Sequence, residues 1–240
     1  MPISLPHTAS ILEDEEKSTT IQIGFVGTDG LVLASDTKWT LRQKLEGADV
    51  RAQFSGSKIR LNPAKTVAIA CAGHMGSAWH VAEAILSDSD LEKENDLDVR
   101  SRRIKVLGIA NSGNGQPQCI VMFSRPAPCI FLFENIADHG ADCVYVPLYT
   151  PSGDALNTAL FWLHYYELMP IKQLKRLAAH LIVAAGELNS GYISGLEMVC
   201  CSNGVFERCS DNENHAYETQ ARQWDKQIGS LILGYGKDAL

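Results

Sequence analysis

The sequence predicts an α+β fold: a four-layer αββα sandwich in which two antiparallel sheets pack together and helices cover both outer faces. Two observations lead to this prediction. Strand-like and helix-like stretches occur in separate groups, in the order strands, helices, strands, helices, strands. Short turn sequences join the strands within each group, and such hairpin connections produce antiparallel sheets. Helices that fall between the strand groups can then cover both outer faces.

The first hairpin gives the strongest local signal. Two apolar, β-branched runs flank Thr28-Asp29-Gly30, and Asp-Gly is a preferred dipeptide of two-residue hairpin turns. Such a hairpin brings the start of its first strand beside the end of its second strand. We therefore expect Thr20 to lie near Asp36.

The remaining elements are predicted from apolar runs bounded by turn residues or helix caps. Further strands are predicted at Lys58–Leu61, Thr66–Gly73, Gln118–Phe123, Pro128–Phe133, Cys143–Tyr149, Ser194–Cys201 and Gly204–Cys209. Helices are predicted at Met75–Leu86, Val99–Ile109, Ser152–Leu168 and Pro170–Gly186. The polar segment 38–56 is predicted to be irregular, and the stretch 218–226 to be an exposed part of the tail.

Composition limits the possible classes of function. A chain of 240 residues with 45% hydrophobic and 20% charged residues suits one soluble globular domain with a large core. Its net charge of −7 argues against nucleic acid or an anionic membrane surface as the main partner. No apolar run reaches the ~18 residues that a membrane-spanning helix needs, so we expect no membrane association.

The amino-terminal segment and the cysteines indicate a cytoplasmic protein. Residues 1–17 contain two prolines and the acidic run Glu13–Glu16, which predicts a poorly structured leader rather than a secretory or mitochondrial signal. Most of the seven cysteines lie in apolar, strand-like runs, as expected for reduced, buried thiols. No Cys-x-x-Cys pair occurs, and His74 and His80 do not share a helix face, so no metal site is expected.

Five short motifs together resemble proteasome-type N-terminal nucleophile (Ntn) hydrolases. This group includes proteasome β subunits, the HslV-type peptidase, and the bacterial ancestral-β and betaproteobacterial proteasome homologues. The motifs occur in the order that the group has them: Thr20–Asp36, Lys58–Pro63, Cys71–Gly73, Ser152-Gly153 and Ser194-Gly195. The resemblance implies the Ntn-hydrolase fold and a threonine protease made as a precursor, with residues 1–19 as propeptide and 20–240 as a single proteasome-β-like domain.

The resemblance also implies roles for individual residues. Thr20 would be the nucleophile once the leader is removed. Its charged partners would be Asp36 and Lys58, and the backbone N–H of Gly73 would form the oxyanion hole. Ser152 and Ser194 would hydrogen-bond to the free amine. In the substrate-binding region, Thr40 would pair with an extended peptide, and the first pocket, lined by Trp39 and Cys71, would suit a medium-sized apolar side chain.

The chemistry of these residue types is consistent with such roles. A threonine hydroxyl is a weak nucleophile at neutral pH and needs an adjacent base. A free α-amine, with a reference pKa of roughly 7.7–8.0, is a better base near neutrality than a lysine at ~10.4. Cleavage before Thr20 would create such an amine beside its own hydroxyl. Lys58, kept charged by Asp36, would lower the cost of ionising that hydroxyl. No cofactor is needed, and none is expected.

Two starting residues fit the motif. A gapless alignment from Thr20 places Gly30 and Asp36 at the family's positions. Starting at Thr19 requires one extra residue in the hairpin, which would turn side chains to the opposite face or force a bulge. We therefore favour Thr20.

Two departures from the family pattern keep alternatives open. Thr19 stands where the family usually has glycine before the nucleophile, and Gly191 stands where it has an aspartate that orients the amine. A catalytically silent, proteasome-like scaffold subunit that keeps its leader is therefore a second hypothesis, and an Ntn amidase acting on small molecules is a third.

The resemblance implies partners as well. It predicts a homo-oligomer of stacked rings, a peptide or unfolded-protein substrate, and an ATP-driven unfoldase as a candidate partner.

Overall fold

The computed structural model describes residues 20–45, 48–136, 139–153, 163, 166–189 and 191–233. The predicted leader and most of the predicted helix 152–168 lie outside the described residues, and so does Thr19. None of the described helices is both long and apolar enough to cross a membrane.

The described residues form twelve strands and four helices. In chain order the strands are β1 (Gln22–Gly27), β2 (Gly30–Ser35), β3 (Lys38–Leu45), β4 (Ala48–Ser55), β5 (Ile59–Leu61), β6 (Val67–Gly73), β7 (Pro117–Phe123), β8 (Cys129–Ile136), β9 (Gly140–Val146), β10 (Tyr149–Ser152), β11 (Glu197–Cys201) and β12 (Phe206–Arg208). The helices are α1 (Met75–Leu86), α2 (Leu97–Ser112), α3 (Ile171–Leu188) and α4 (Asp211–Leu233).

Ten of the twelve strands form two five-stranded antiparallel sheets, and the predicted α+β sandwich is confirmed. The first sheet has the order β10-β1-β2-β11-β12 and the second the order β5-β6-β7-β8-β9. Leu31 and Leu33 of β2 pack against Ala68 and Ala70 of β6 in the core between the sheets. Alternate residues of the same strands face outward, toward α3 on the first sheet and toward α1 and α2 on the second.

The first hairpin has the register that its sequence predicts. β1 pairs with β2 from Gln22↔Ser35 to Gly27↔Gly30. One step before this ladder, the backbone N–H of Asp36 donates to the Ile21 carbonyl at 3.2 Å. This register places Thr20 beside Asp36 at the open end of the hairpin.

The segment 38–56, predicted to be irregular, forms a separate two-stranded sheet, so that prediction was wrong. β3 and β4 pair antiparallel over eight residue pairs, from Lys38↔Ser55 to Leu45↔Ala48. Apolar residues alternate with polar ones at Trp39 and Leu41, but Gln43 interrupts the pattern before Leu45 and the segment is rich in charge, so the period-2 signal is weak. Residues 218–226, predicted only to be an exposed part of the tail, belong to the 23-residue helix α4.

The packing of α2 against the second sheet leads to a first prediction. A Cβ atom at Gly108 would lie 2.3 Å from the ring of Phe133, which cannot easily move aside. Gly108→Ala gains up to ~1 kcal/mol of helix propensity, but overpacking typically costs ~1–3 kcal/mol. We therefore expect a net loss of about 1–2 kcal/mol in the free energy of unfolding, measured by urea denaturation.

The matched control is Gly76→Ala in α1. There a Cβ atom would meet, among the described residues, only the His74 ring, at 3.5 Å, so the helix-propensity gain is unopposed. Gly76→Ala should be neutral or stabilising by up to ~1 kcal/mol. Equal effects of the two substitutions would contradict the role of the Phe133 contact.

Candidate active site

Three buried polar side chains meet at the open end of the first hairpin. The Lys58 Nζ donates to the Thr20 Oγ1 at 2.6 Å and lies 2.9 Å and 3.0 Å from the two carboxylate oxygens of Asp36. All three residues have no exposed surface. The structure therefore brings together the hydroxyl, the cation and the carboxylate that the sequence singled out.

The Asp36 carboxylate is fixed by backbone donors as well as by Lys58. Its Oδ1 accepts from the N–H of Ile21 at 3.1 Å, and its Oδ2 accepts from the N–H of Lys38 at 3.1 Å. Burial raises the pKa of this carboxyl, whereas the Lys58 ammonium and the hydrogen bonds act against that rise. Asp36 thus supplies a fixed counter-charge for the lysine, at a site whose side chains have no exposed surface.

Lys58 reaches the site from the start of the second sheet. Lys58 lies directly before β5, and its backbone carbonyl accepts from the N–H of Cys71 at 3.0 Å. Its Nζ lies 4.9 Å from the centre of the Trp39 ring, within the range of a cation–π contact. The ammonium is therefore enclosed by an aromatic ring, a carboxylate and a hydroxyl.

The backbone N–H of Gly73 lies on the strand edge that faces this cluster. N–H groups two residues apart in a strand point to the same edge, and the N–H of Cys71 points to Lys58. Gly73 has a φ of +78°, and a Cβ atom there would lie 2.2 Å from the Gln116 carbonyl oxygen. Glycine is thus required where β6 turns into α1.

Ser152 and Gly153 lie next to the backbone of Thr20 but make a different contact from the predicted one. The Ser152 Oγ donates to the Gln118 Oε1 at 3.2 Å, and the Gly153 N–H donates to the same oxygen at 3.0 Å. A Cβ atom at Gly153 would lie 2.2 Å from the Thr20 carbonyl oxygen. Most of the helix predicted to begin at Ser152 lies outside the described residues, and Ser152 itself ends β10. Gln118, which sequence reasoning missed, anchors this turn.

Ser194 is tied to the site through its backbone. Its carbonyl accepts from the Thr37 N–H at 3.1 Å and from the Thr37 Oγ1 at 3.3 Å. Thr37 directly follows Asp36 in the chain. Ser194 is therefore held close in structure to the carboxylate, and no hydrogen bond from its hydroxyl to Thr20 is observed among the described residues.

Among the described residues of the loop before Ser194, no carboxylate stands in for the aspartate of the Ntn hydrolases. The Gly191 carbonyl accepts from the Gln53 side chain at 2.8 Å. Asn189 and Glu187 are the nearest described polar side chains before this position. Asn189 donates its side-chain amide to the Ala185 carbonyl in the last turn of α3 at 2.9 Å, and Glu187 lies exposed on α3.

The residues predicted to bind substrate are covered in this structure. Trp39 is 1% exposed and makes an edge contact with the Trp79 ring, with 5.8 Å between ring centres. Cys71 has no exposed surface, and its Sγ donates to the Ala78 carbonyl at 3.6 Å, which places it in the core below α1. Thr40 is also buried and pairs with Gln53 of β4. An open pocket at Trp39 would require side-chain movement.

Sequence reasoning also missed Glu197, a buried glutamate in β11. Its carboxylate accepts from the backbone N–H of Lys58 at 2.9 Å. The only local signal is a glutamate inside the otherwise apolar run Leu196–Cys201. Among the described residues, no group of three or more His, Cys, Asp or Glu side chains could hold a metal ion.

Several solved structures resemble this fold. Anbu from Hyphomicrobium sp. strain MC1 matches with a TM-score of 0.64 and 15% identity, over 91% of this chain and 97% of that chain. Anbu (ancestral beta-subunit) from Yersinia bercovieri has a TM-score of 0.64 and 11% identity, with coverage of 89% and 96%. Anbu from Pseudomonas aeruginosa, solved as a helical assembly, has a TM-score of 0.62 and 12% identity, with coverage of 89% and 95%. The chain therefore has an Anbu-like fold.

The sequence-based assignment to the proteasome β, HslV-type and bacterial proteasome-homologue families was wrong. No family model matches the chain, and no curated protein matches it either. The identity to the Anbu structures, 11–15%, establishes a shared fold and nothing finer. The five short motifs cover few positions of a diverged chain, and together they do not amount to a sequence-level relationship.

Proposed function

We propose that the protein is a threonine peptidase that hydrolyses peptide bonds with Thr20 as its amino-terminal nucleophile, after removal of residues 1–19. The observation that carries the proposal is the 2.6 Å contact between the Lys58 Nζ and the Thr20 Oγ1, made inside a buried ion pair with Asp36. A cation fixed against a hydroxyl favours the alkoxide over the neutral alcohol. Such an arrangement activates a nucleophile.

Cleavage of the Thr19–Thr20 bond supplies the base. The freed α-amine takes the proton of the Thr20 hydroxyl as its oxygen attacks the carbonyl carbon of the substrate. The tetrahedral intermediate then collapses, the C–N bond breaks, and the proton passes to the leaving amine. Water, deprotonated by the same amine, hydrolyses the ester on Thr20 and regenerates the free hydroxyl.

Gly73 and β3 provide the substrate-facing groups in this proposal. The Gly73 N–H, on the edge of β6 that faces Lys58, would stabilise the developing oxyanion, a contribution of commonly ~3–4 kcal/mol. β3 pairs only with β4 among the described strands, so its other edge can accept an extended peptide near Thr40. Trp39, and Cys71 less directly, would shape the first side-chain pocket after rearrangement.

Assembly into a homo-oligomer is part of the proposal. Val106 and Ile109 lie one turn apart on α2 and are 65% and 53% exposed. Exposed apolar side chains on one helix face favour contact with another protein surface. The helical assembly of Anbu from Pseudomonas aeruginosa gives a precedent for self-association of this fold. If the copies form stacked rings that enclose the active sites, an unfolded protein delivered by an ATP-driven unfoldase would be the substrate.

The second candidate function is a silent scaffold subunit that retains its leader. The observation in its favour is the loop 187–191, where none of the described residues supplies a carboxylate in place of the family aspartate and the Asn189 side chain is bound to the preceding helix. Without an acceptor for the α-amine, the base would be poorly oriented.

Intact mass spectrometry of the purified protein tests the proposal. The wild type is expected to lose residues 1–19, with Thr20 as the first residue by amino-terminal sequencing, whereas Thr20→Ala should keep its full length. An inhibitor directed at amino-terminal threonines should add its mass to the wild type alone. A wild type of full length, without an adduct, would support the scaffold and reject the peptidase.

A further inference from the structure

Glu197 makes an unusual set of contacts for a side chain outside the proposed catalytic cluster. It belongs to β11, is 9% exposed, and lies opposite Ser35, the residue before Asp36. Its Oε2 accepts from the N–H groups of Lys58 at 2.9 Å and Ile59 at 3.3 Å. A carboxylate from the first sheet thus holds the backbone of the first residues of the second sheet.

The other carboxylate oxygen holds the same segment from a second direction. The Glu197 Oε1 accepts from the Ser57 Oγ at 2.6 Å and from the Arg208 guanidinium. Arg208 also donates to the Ile59 carbonyl at 2.5 Å and to the Ser57 Oγ at 3.3 Å. The segment 57–59 is therefore held through its N–H groups, its hydroxyl and its carbonyl.

The hydrogen bonds of Glu197 and Arg208 to residues 57–59 determine where Lys58 lies relative to Asp36. Asp36 belongs to the first sheet, whereas Lys58 belongs to the segment that begins the second sheet, so their relative position depends on how the sheets are joined. Glu197 joins the two sheets close to the ion pair: it lies opposite Ser35, the residue before Asp36, and it binds the N–H of Lys58 itself. Charge-assisted hydrogen bonds of this kind are stronger and shorter than neutral ones.

We infer that Glu197 is a positioning residue that fixes the Lys58 backbone so that its ammonium reaches the Thr20 hydroxyl. The inference rests on the proposed peptidase function. Arg208 supports it by holding the Glu197 carboxylate and the Ile59 carbonyl. Displacement of Lys58 would weaken activation of the nucleophile while leaving substrate binding along β3 unchanged.

The test compares Glu197→Ala, Glu197→Gln and the matched control Glu92→Ala. Glu92 accepts from the Asn62 side chain at 2.5 Å and the Thr66 hydroxyl at 2.7 Å, so it anchors the opposite end of the β5–β6 hairpin without contacting Lys58. Peptide hydrolysis would be measured with a fluorogenic peptide, and acylation of Thr20 with an inhibitor directed at amino-terminal threonines. Thermal unfolding of each variant reports its fold.

Glu197→Ala is expected to lower kcat and the acylation rate by roughly 10- to 100-fold with KM within about 3-fold, since misplaced catalytic groups cost rate rather than binding. Glu197→Gln keeps one acceptor for the Lys58 N–H and should lose only about 3- to 10-fold. Glu92→Ala should stay within about 2-fold of wild type.

The pH profile distinguishes positioning from a general loss of stability. A nearby cation lowers the pKa of an amine, so displacement of Lys58 raises the pKa of the Thr20 amine. The acid limb of kcat/KM should therefore move to higher pH in Glu197→Ala and Glu197→Gln, and stay in place in Glu92→Ala.

The outcomes separate this inference from the proposed function. A wild type without a Thr20 adduct would overturn both. A wild type that is acylated, with Glu197 variants that match it in rate and pH profile, would overturn the positioning role alone. If Glu197→Ala fails to fold, Glu197→Gln decides: an unchanged rate and acid limb reject the role.

Discussion

Lys58→Met is expected to reduce peptide hydrolysis at least about 1,000-fold and to lower the free energy of unfolding by about 3–5 kcal/mol at neutral pH. The substitution keeps most of the side-chain volume but removes the ammonium. Asp36 then remains buried without its cation, and the Thr20 hydroxyl loses the charge 2.6 Å from its oxygen. Loss of one partner of a buried ion pair leaves the other charge unsatisfied, and the large cost arises from that.

The destabilisation should depend on pH with a defined sign. Burial already raises the pKa of Asp36, and Lys58 opposes the rise, so its removal raises that pKa further. A carboxyl whose folded-state pKa lies above its unfolded value favours folding when protonated, and this contribution is lost as pH rises through the folded-state pKa. The gap in stability between Lys58→Met and wild type should therefore be smaller near pH 4 than near pH 7.

Urea denaturation at the two pH values measures this gap. The matched control is Lys105→Met, which removes the same charge from an exposed pair with Asp142, 3.2 Å away. Exposed pairs contribute ~0–1 kcal/mol, so this variant should stay close to wild type at both pH values and retain full activity. A gap for Lys58→Met that widens toward low pH would contradict an ionised Asp36 paired with Lys58.

The parts of the fold that the sequence predicted are those with strong local signals. The Asp-Gly turn determines the first hairpin, and the period of 2 then places Thr20 beside Asp36 by geometry alone. The buried strand β6 is continuous in apolar residues. By contrast, β3 and β4 are charged and pair mainly with each other, so little in their composition distinguishes them from a loop.

Only part of the candidate site was predicted, because its contacts join residues that are far apart in the sequence. Lys58 is 38 residues from Thr20, and no periodicity relates them; the family motif alone suggested the pair. Glu197 is 139 residues from Lys58, and its contact with the Lys58 N–H can be recognised only in the structure, where the two sheets meet. The same motifs also suggested a family membership that the comparisons do not support. Short motifs therefore predicted the local geometry better than they predicted ancestry.

Gly153→Ala is expected to reduce activity at least about 100-fold, although the residue has no side chain. Its φ is +101°, and a Cβ atom would lie 2.2 Å from the Thr20 carbonyl oxygen and 2.9 Å from the carbonyl carbon. Relief of this overlap requires a backbone shift of about 1 Å, and a misplacement of that size commonly costs about 100-fold in rate. Strain and overpacking together should lower the free energy of unfolding by roughly 2–5 kcal/mol.

The control for Gly153→Ala is Gly140→Ala, because it reproduces the backbone strain without the collision. Gly140 has a φ of +74°, and a Cβ atom there would meet none of the described residues within 4 Å. Its substitution should cost only the left-handed backbone penalty of roughly 1–2 kcal/mol and leave the acylation rate unchanged. The difference between the two variants then isolates the contact with Thr20. If Gly153→Ala were acylated at the wild-type rate, the contact with Gly153 would not limit the reactivity of Thr20, and this prediction would be wrong.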